Sequence, residues 1–285
     1  MTPGLHACSL AEYLADPAPE PSLNASTAHA LLAQSPKHAW SQSKRLNPAL
    51  QAEESEAFDL GTAAHAYLLE GETGFLIIEA KDFRTQMARD ARDTARAAGK
   101  TPLLAHRWAA VQAMTAAIRQ QLAAHDAPVP FTRGQPEQTL IWQEGDVWCR
   151  ARLDWLHDGF GHVDDLKTTQ ATAHPAAFSR RIWDAGYDLQ AALYTRGVKA
   201  VLGVEPEFRF VVAEVTPPYG VSVVSLDPEA LAFATTKLDH AIARWGECLR
   251  TDTWPGYPAR TAFAEVPPWA QAQWMERAYY EEAKR

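Results

Sequence analysis

No stretch constrains the fold of this chain more than RARLDWLHDGFGHVDDLKTT, Arg150 to Thr169. Arg150, Arg152 and Asp154 alternate with Ala151, Leu153 and Trp155, the period of two that sends successive side chains to opposite faces of a sheet. His157, Asp158, Gly159, Phe160 and Gly161 supply hairpin-turn chemistry. A second strand is expected from about His162 to Leu166. Asp165 and Lys167 are two apart and share a face at that strand's end. Such a hairpin brings Asp154 alongside Asp165, so two carboxylates and an ammonium converge.

Two carboxylates forced together repel, and one tends to hold its proton unless a counter-charge is near. A hard divalent cation meets that need, and Mg²⁺ is commonly held by one or two carboxylates with water and phosphate oxygens. Such an ion activates water and neutralises charge growing on phosphorus. Lys167 is then placed to orient the attacking water or to stabilise transition-state oxygens. A lone D-x-K tripeptide is more often an ordinary charged strand end. The weight therefore comes from the rest of the chain.

The chain has 285 residues, enough for one large α/β domain with insertions or two small ones. A formal net charge of −8 argues against bulk attraction to nucleic acid and leaves room for a local basic channel. Cys8, Cys149 and Cys248 are scattered, with no CxxC. That pattern points away from a disulfide framework, a zinc site and an iron–sulfur cluster. No apolar run reaches membrane-spanning length and the N-terminus lacks a signal pattern, so a reduced cytoplasmic enzyme is expected, with no membrane partner.

Residues 1–50 are rich in Pro, Ala and Ser and read as an N-terminal arm lying on the main body. Within it, Ser26 or Thr27 is expected to cap a helix from Ala28 to Gln34 that Ser35-Pro36 stops. From Asp59 to Gly71, Leu60, Ala64, Leu68 and Leu69 form a helical apolar face. Gly61 and His65 lie one turn apart on it, where a glycine permits close approach. His65 either faces the carboxylates or is an ordinary packed histidine. A polar helix is expected from Asp82 to Gly99, with Arg89, Arg92, Arg96 and Lys100 as one basic stripe. Asp90 and Asp93 beside it allow either a salt-bridged solvated helix or contacts to phosphates. Leu104 to Ala123 reads as an amphipathic helix packed through Trp108, Val111, Met114, Ile118 and Leu122.

After Pro128 and Pro130 the pattern turns to strands. Gln138 to Gln143 alternates with Glu137 at its mouth, completing a three-stranded meander with the hairpin. One long helix is expected from His174 to Val201. It carries Tyr187, Gln190 and Tyr194 on a shared face, and Arg180 and Arg181 two turns earlier. Strands from Glu207 to Val215 and Val221 to Leu226, then a helix from Asp227 to Cys248, follow. The domain reading is an arm over 1–50, a core over 51–250 and an extension over 251–285 packed on that core.

GTAAHAYLLE, RARLDWL, VDDLKTT and YDLQAALY resemble, in order and spacing, the motifs of the PD-(D/E)xK nuclease superfamily, in its RecB-like branch. Within that branch the chain is most similar to phage and prophage RecE-type exonucleases (exonuclease VIII). SPKHAW, RDTARAAGKTPL and WPGYP extend the likeness over most of the chain. It departs where no proline precedes Asp154, and Asp164 beside Asp165 raises a one-residue register question. Asp165 is preferred because Lys167 follows it by two. The resemblance implies an α/β fold: a mixed central β-sheet flanked by helices, the restriction-endonuclease-like core. It implies a metal shell of His65, Asp154, Asp165 and the Leu166 backbone carbonyl, with His65, Asp154, Asp165 and Lys167 as the catalytic set. Glu137 is a further ligand or an acid behind the ligands. Tyr187, Gln190, Tyr194, Arg89, Arg92, Arg96, Lys100, Arg180 and Arg181 are candidates for supporting the site or touching DNA. The implied activity is Mg²⁺-dependent degradation of double-stranded DNA from its ends, 5′→3′, with Mn²⁺ able to substitute. The implied partners are a RecT-like single-strand annealing protein and further copies of the chain in a closed oligomer. A related endonuclease, or a DNA-end-binding or recombinase-docking module of weak activity, is the alternative.

Overall fold

The computed structural model describes residues 1–50, 60–71 and 74–282. Asp59, expected to open a helix, lies outside them. The chain begins with β1 (Gly4–Ala7) and α1 (Leu10–Leu14), the latter opened by a reciprocal Ser9–Glu12 capping box. α2 (Ala25–Ala33) and α3 (Pro36–Gln42) follow. Asn24, rather than Ser26 or Thr27, caps α2, because its side-chain oxygen accepts the Thr27 N–H at 2.8 Å. Ser35-Pro36 does more than stop that helix. Ser35 accepts from His38, and Pro36 sits where a missing N–H costs nothing, so the pair starts α3.

Next come α4 (Leu60–Glu70), β2 (Phe75–Ile78), α5 (Gln86–Ala97), β3 (Thr101–Leu104) and α6 (Ala105–Leu122). Thr85 caps α5, so the helix starts later than Asp82; Asp82 instead accepts the Arg84 N–H in the preceding turn. β4 (Gly134–Glu144), β5 (Val147–His157) and β6 (His162–Thr169) form the expected meander. α7 (Pro175–Asp184), α8 (Tyr187–Leu202), β7 (Glu207–Glu214), β8 (Val221–Ser225) and α9 (Pro228–Thr251) complete this unit. Gly256–Arg285 is a separate unit built on α10 (Pro268–Glu282).

The main sheet has strand order β1-β4-β5-β6-β7-β8. Every neighbouring pair is antiparallel except β6 and β7, which are parallel. A parallel pair demands a crossover, and α7 and α8 supply it. They are two helices, not the single one expected, because Gly186 breaks the run with φ of 71°. A Cβ there would lie 2.1 Å from His29 Nδ1, so only glycine allows α2 to press against the corner. Leu140, Trp142, Leu153, Leu193 and Trp245 lie in the core on the α2–α8–α9 side. Leu68, Val111, Met114, Leu166 and Val211 lie in the core on the α4–α6 side. The result is a mixed central sheet flanked by helices.

Residues 1–50 are woven into this unit rather than laid on it. β1 extends the sheet, and Leu23, Ala28, Leu31 and Ala39 are buried in the core. The tie is Arg150, itself buried, which donates to Ser22 and pairs with Asp16 at 3.2 Å. A buried charge with those partners cannot release the segment cheaply.

Candidate active site

The β5–β6 ladder ends at Trp155↔Asp164. One residue further, where Asp154 and Asp165 would stand opposite each other, the strands have parted. Asp154 Oδ2 accepts the Leu166 N–H at 2.8 Å, replacing the lost ladder partner. The N–H and C=O of one strand residue leave on the same edge, so the Leu166 carbonyl faces this opening.

The alternation of β5 also slips here. Cys149, Ala151 and Leu153 enter the core at every second position, and then Leu156 does. Trp155, which the alternation puts on the face of Ala151 and Leu153, is half-buried and packs edge-on against Phe131. Across from the slip, Glu137 lies between the pairs Pro136↔Trp155 and Gln138↔Leu153 and has φ of 57°. A non-glycine residue in the left-handed region within a strand is a stored strain of about 1–3 kcal/mol. Arg152 holds Glu137 by an Nε–Oε2 bond of 2.5 Å while its Nη1 donates to the Cys8 carbonyl.

His65 comes from α4. Gly61, one turn earlier, lies so close to β6 that a Cβ would meet Thr168 Oγ1 at 2.2 Å. That approach carries His65 to the carboxylates: Nε2 is 2.9 Å from Asp154 Oδ2, and Nδ1 is 4.0 Å from Glu137 Oε1. His65, Glu137 and Asp154 each offer a ligand atom within 4.8 Å of the others. Asp165 stands outside that trio. Gln190 donates to its Oδ1, and Lys167 makes an ion pair at Oδ2 without a well-aligned hydrogen bond. Tyr187 from α8 places its ring 4.8 Å from the Lys167 ammonium, a cation–π contact. Tyr194 is buried against Phe208 and supports Gln190. Asp164, the other register choice, points away and belongs to a different cluster.

Burial alone would lower the His65 imidazole, but its Asp154 bond, with the Glu137 and Asp165 charges, pushes it up to about 9. Burial raises Asp165, and the Asp154 charge adds to this against the pull of Lys167. Burial and the Asp154 charge likewise raise Glu137. Asp154 is held below the usual carboxylate range: burial opposes this, but the His65 and Leu166 bonds and the Lys167 charge prevail. Lys167 is raised because Asp165 and Asp154 outweigh its desolvation. Three crowded carboxylates and an imidazole are a donor set that suits a divalent cation. The imperfectly bonded Asp165 Oδ2 points to the same need.

The basic stripe of α5 is partly spent locally. Arg92 pairs with Asp93 at 2.9 Å and lies over Phe83, and Arg89 bonds the Arg84 carbonyl and Gln86. Arg180 and Arg181 instead line a cavity of about 420 Å³ with Thr169, Thr172 and Asp184. Arg152 was not foreseen as a site residue; its alternation with Ala151 and Leu153 was legible, but its partner Glu137 was separated from it in sequence.

A mixed sheet with two carboxylates and a lysine at a parting of two strands defines a protein of PD-(D/E)xK type. The model of the PDDEXK-like domain of unknown function DUF3799 matches residues 25–264. The chain belongs to that family, and through it to the PD-(D/E)xK nuclease superfamily. A crystal structure named "Putative exonuclease" from Eubacterium rectale superposes with a TM-score of 0.60 at 13% identity, covering 92% of this chain and 97% of that one. A second structure, SSO0001, covers 65% of this chain and 83% of that one at 13% identity, with a TM-score of only 0.26. No protein of curated function matches. Among the described residues, no helix is long and apolar enough to cross a membrane.

Proposed function

We propose that this chain is a divalent-metal-dependent exodeoxyribonuclease that digests linear double-stranded DNA from its ends, 5′→3′, leaving single strands for recombination. The observation that carries the reading is the junction of Asp154, Asp165 and Lys167 where β5 and β6 part, with His65 closing it. The name of the Eubacterium rectale relative points the same way.

His65, Asp154 and Glu137, with Asp165 and the Leu166 carbonyl beside them, would hold Mg²⁺ or Mn²⁺. When bound, such an ion supplies Lewis acidity and charge neutralisation at the scissile phosphate. The imidazole in the donor set favours Mn²⁺ over the more strictly oxygen-seeking Mg²⁺. Lys167, fixed between Asp165 and the Tyr187 ring, orients the attacking water and faces the oxygens that gain charge. Gln190 fixes Asp165, and Arg152 fixes Glu137, so both carboxylates are oriented before substrate arrives. Arg180 and Arg181 take backbone phosphates.

A net charge of −8 set against a polyanion supports a closed oligomer that gathers such basic groups round the DNA, acting with an annealing protein of RecT-like type. The test of the activity is a timed digest of linear duplex labelled separately at each 5′ and 3′ end. Ordered loss from 5′ ends, with closed circles untouched, is expected. Cutting of closed circles, or no cutting with any divalent cation, overturns the reading.

A further inference from the structure

Tyr187 and Gln190, which brace Lys167 and Asp165, both belong to the opening turn of α8. A rotation of that turn about the helix axis would carry both away from the site. Local chemistry fixes the turn weakly. Gly186 stands at its N-cap with no side-chain hydrogen bond to the first N–H groups, which Ser, Thr, Asp or Asn would supply.

Asp188 lies between them in sequence and faces elsewhere, about 200° round the helix from Gln190 at about 100° per residue. Its carboxylate is fully buried, and Lys237 of α9 donates to Oδ2. Oδ1 is buried without a hydrogen bond among the described residues. An acid in the first turn suits the helix dipole, but an exposed one would do so without the cost of desolvation. The burial therefore calls for another reason. Lys237 also places its ammonium 5.7 Å from the ring of Trp183, in the last turn of α7. One cation thus ties the end of α7, the start of α8 and α9 together.

A second tie joins α8 to α9 with the charges reversed. Arg196 of α8 pairs with Asp239 of α9 at 2.7 Å, past Tyr194 and further along the helix from the α7–α8 corner. We propose that Asp188 is a positioning residue: held by Lys237, it sets the rotation of α8 that brings Gln190 to Asp165 and the Tyr187 ring to Lys167. Its effect on turnover rests on the nuclease reading.

The test uses the full-length protein and two readouts, Mn²⁺ affinity without DNA by titration calorimetry and steady-state digestion of linear duplex. Asp188→Asn and Lys237→Met should each lower Mn²⁺ affinity about tenfold, as loss of a partner behind the ligands does. At saturating Mn²⁺, kcat should fall about tenfold while KM for DNA changes less than about threefold. Asp239→Asn, which cuts the second tie between the same helices, should leave both readouts within about twofold. The double variant Asp188→Asn/Lys237→Met leaves no unpaired charge and should unfold in denaturant near wild type, yet keep the tenfold deficit. Wild-type affinity in that folded double variant overturns the proposal, since the single losses would then reflect an unpaired buried charge alone. Wild-type affinity in either folded single variant, or an equal loss in Asp239→Asn, overturns it as well. A wild type that binds Mn²⁺ but cuts no DNA strikes the nuclease reading instead, because the affinity readout still decides the proposal. One that binds no Mn²⁺ sinks both.

Discussion

Asp164 and Asp165 are neighbours in sequence, both buried, and they behave in opposite ways. Asp164 points to one face of β6, where Arg209 Nε donates at 2.6 Å, the Phe131 N–H at 2.9 Å, and His157 Nε2 stands at 2.5 Å. Burial would raise its carboxyl, but the His157 and Arg209 bonds hold it below the usual range. Asp165 points to the other face, where Asp154 repels it and one oxygen is imperfectly bonded. Its carboxyl is raised. The same residue type with the same burial thus makes a well-bonded anchor on one face and, on the other, a carboxylate crowded by Asp154 and countered by Lys167. What separates them is the number of donors aimed at each, which functional sites leave short.

The strongest way to break this contrast is to neutralise both aspartates in turn. Asp165→Asn should remain folded while digestion of linear duplex falls by about a thousandfold or more, since the ion's charge stabilisation is worth several kcal/mol. Asp164→Asn should stay within about tenfold in rate. Exchange of those two outcomes would move the site to the other face. Lys167→Ala should lose turnover by a comparable factor yet bind DNA as wild type does, because its work lies in the transition state. A parallel fall in affinity, read by anisotropy, would make it a binding residue only.

The structural side of the contrast predicts a loss of stability. Asp164→Asn leaves the buried Arg209 without its carboxylate and should cost about 3–5 kcal/mol in denaturant unfolding. A cost under about 1 kcal/mol would show that His157 and the Pro128 carbonyl, at 2.8 Å from Arg209, suffice without it. His65→Ala should weaken metal affinity by at least the ~10–100-fold that loss of a supporting partner costs. Raising Mn²⁺ should then restore part of the activity; titration calorimetry showing unchanged affinity would make His65 a packing residue. The smallest effect is in acid. Because Asp164 is lowered in the fold, the stability it lends is full above its ordinary value of about 3.9 and is lost as pH falls through the lowered one. Thermal melts below about pH 4 should therefore slope less steeply for Asp164→Asn than for wild type.

Some of this was legible before any coordinates. Alternation and turn residues marked the β5–β6 hairpin, and the two-residue spacing put Asp165 with Lys167. The helical spacing of Gly61 and His65 carried the close approach that Thr168 makes. The core positions of α6, Val111, Met114, Ile118 and Leu122, are buried as their period requires. These are local signals, and a short period survives in any window of sequence. The break at Gly186 was missed because a lone glycine within a helical pattern is often tolerated.

The sequence by itself determined which chemistry could gather: carboxylates, a lysine and a histidine on elements whose periods point each of them one way. Only the tertiary structure decided which of them meet. The slip of alternation at Asp154 and the left-handed Glu137 turn a regular hairpin into an opening. Arg150 and the buried Leu23, Ala28 and Leu31 hold residues 1–50 in the core, and His29 of α2 thereby comes to line the same cavity as Lys167. The physical reason is range. Backbone geometry repeats over a few residues and can be read along the chain, whereas buried charge is satisfied by whatever partner the fold brings near. Asp16 is far from Arg150 in sequence, and Glu137 on β4 reaches Arg152 on the neighbouring β5.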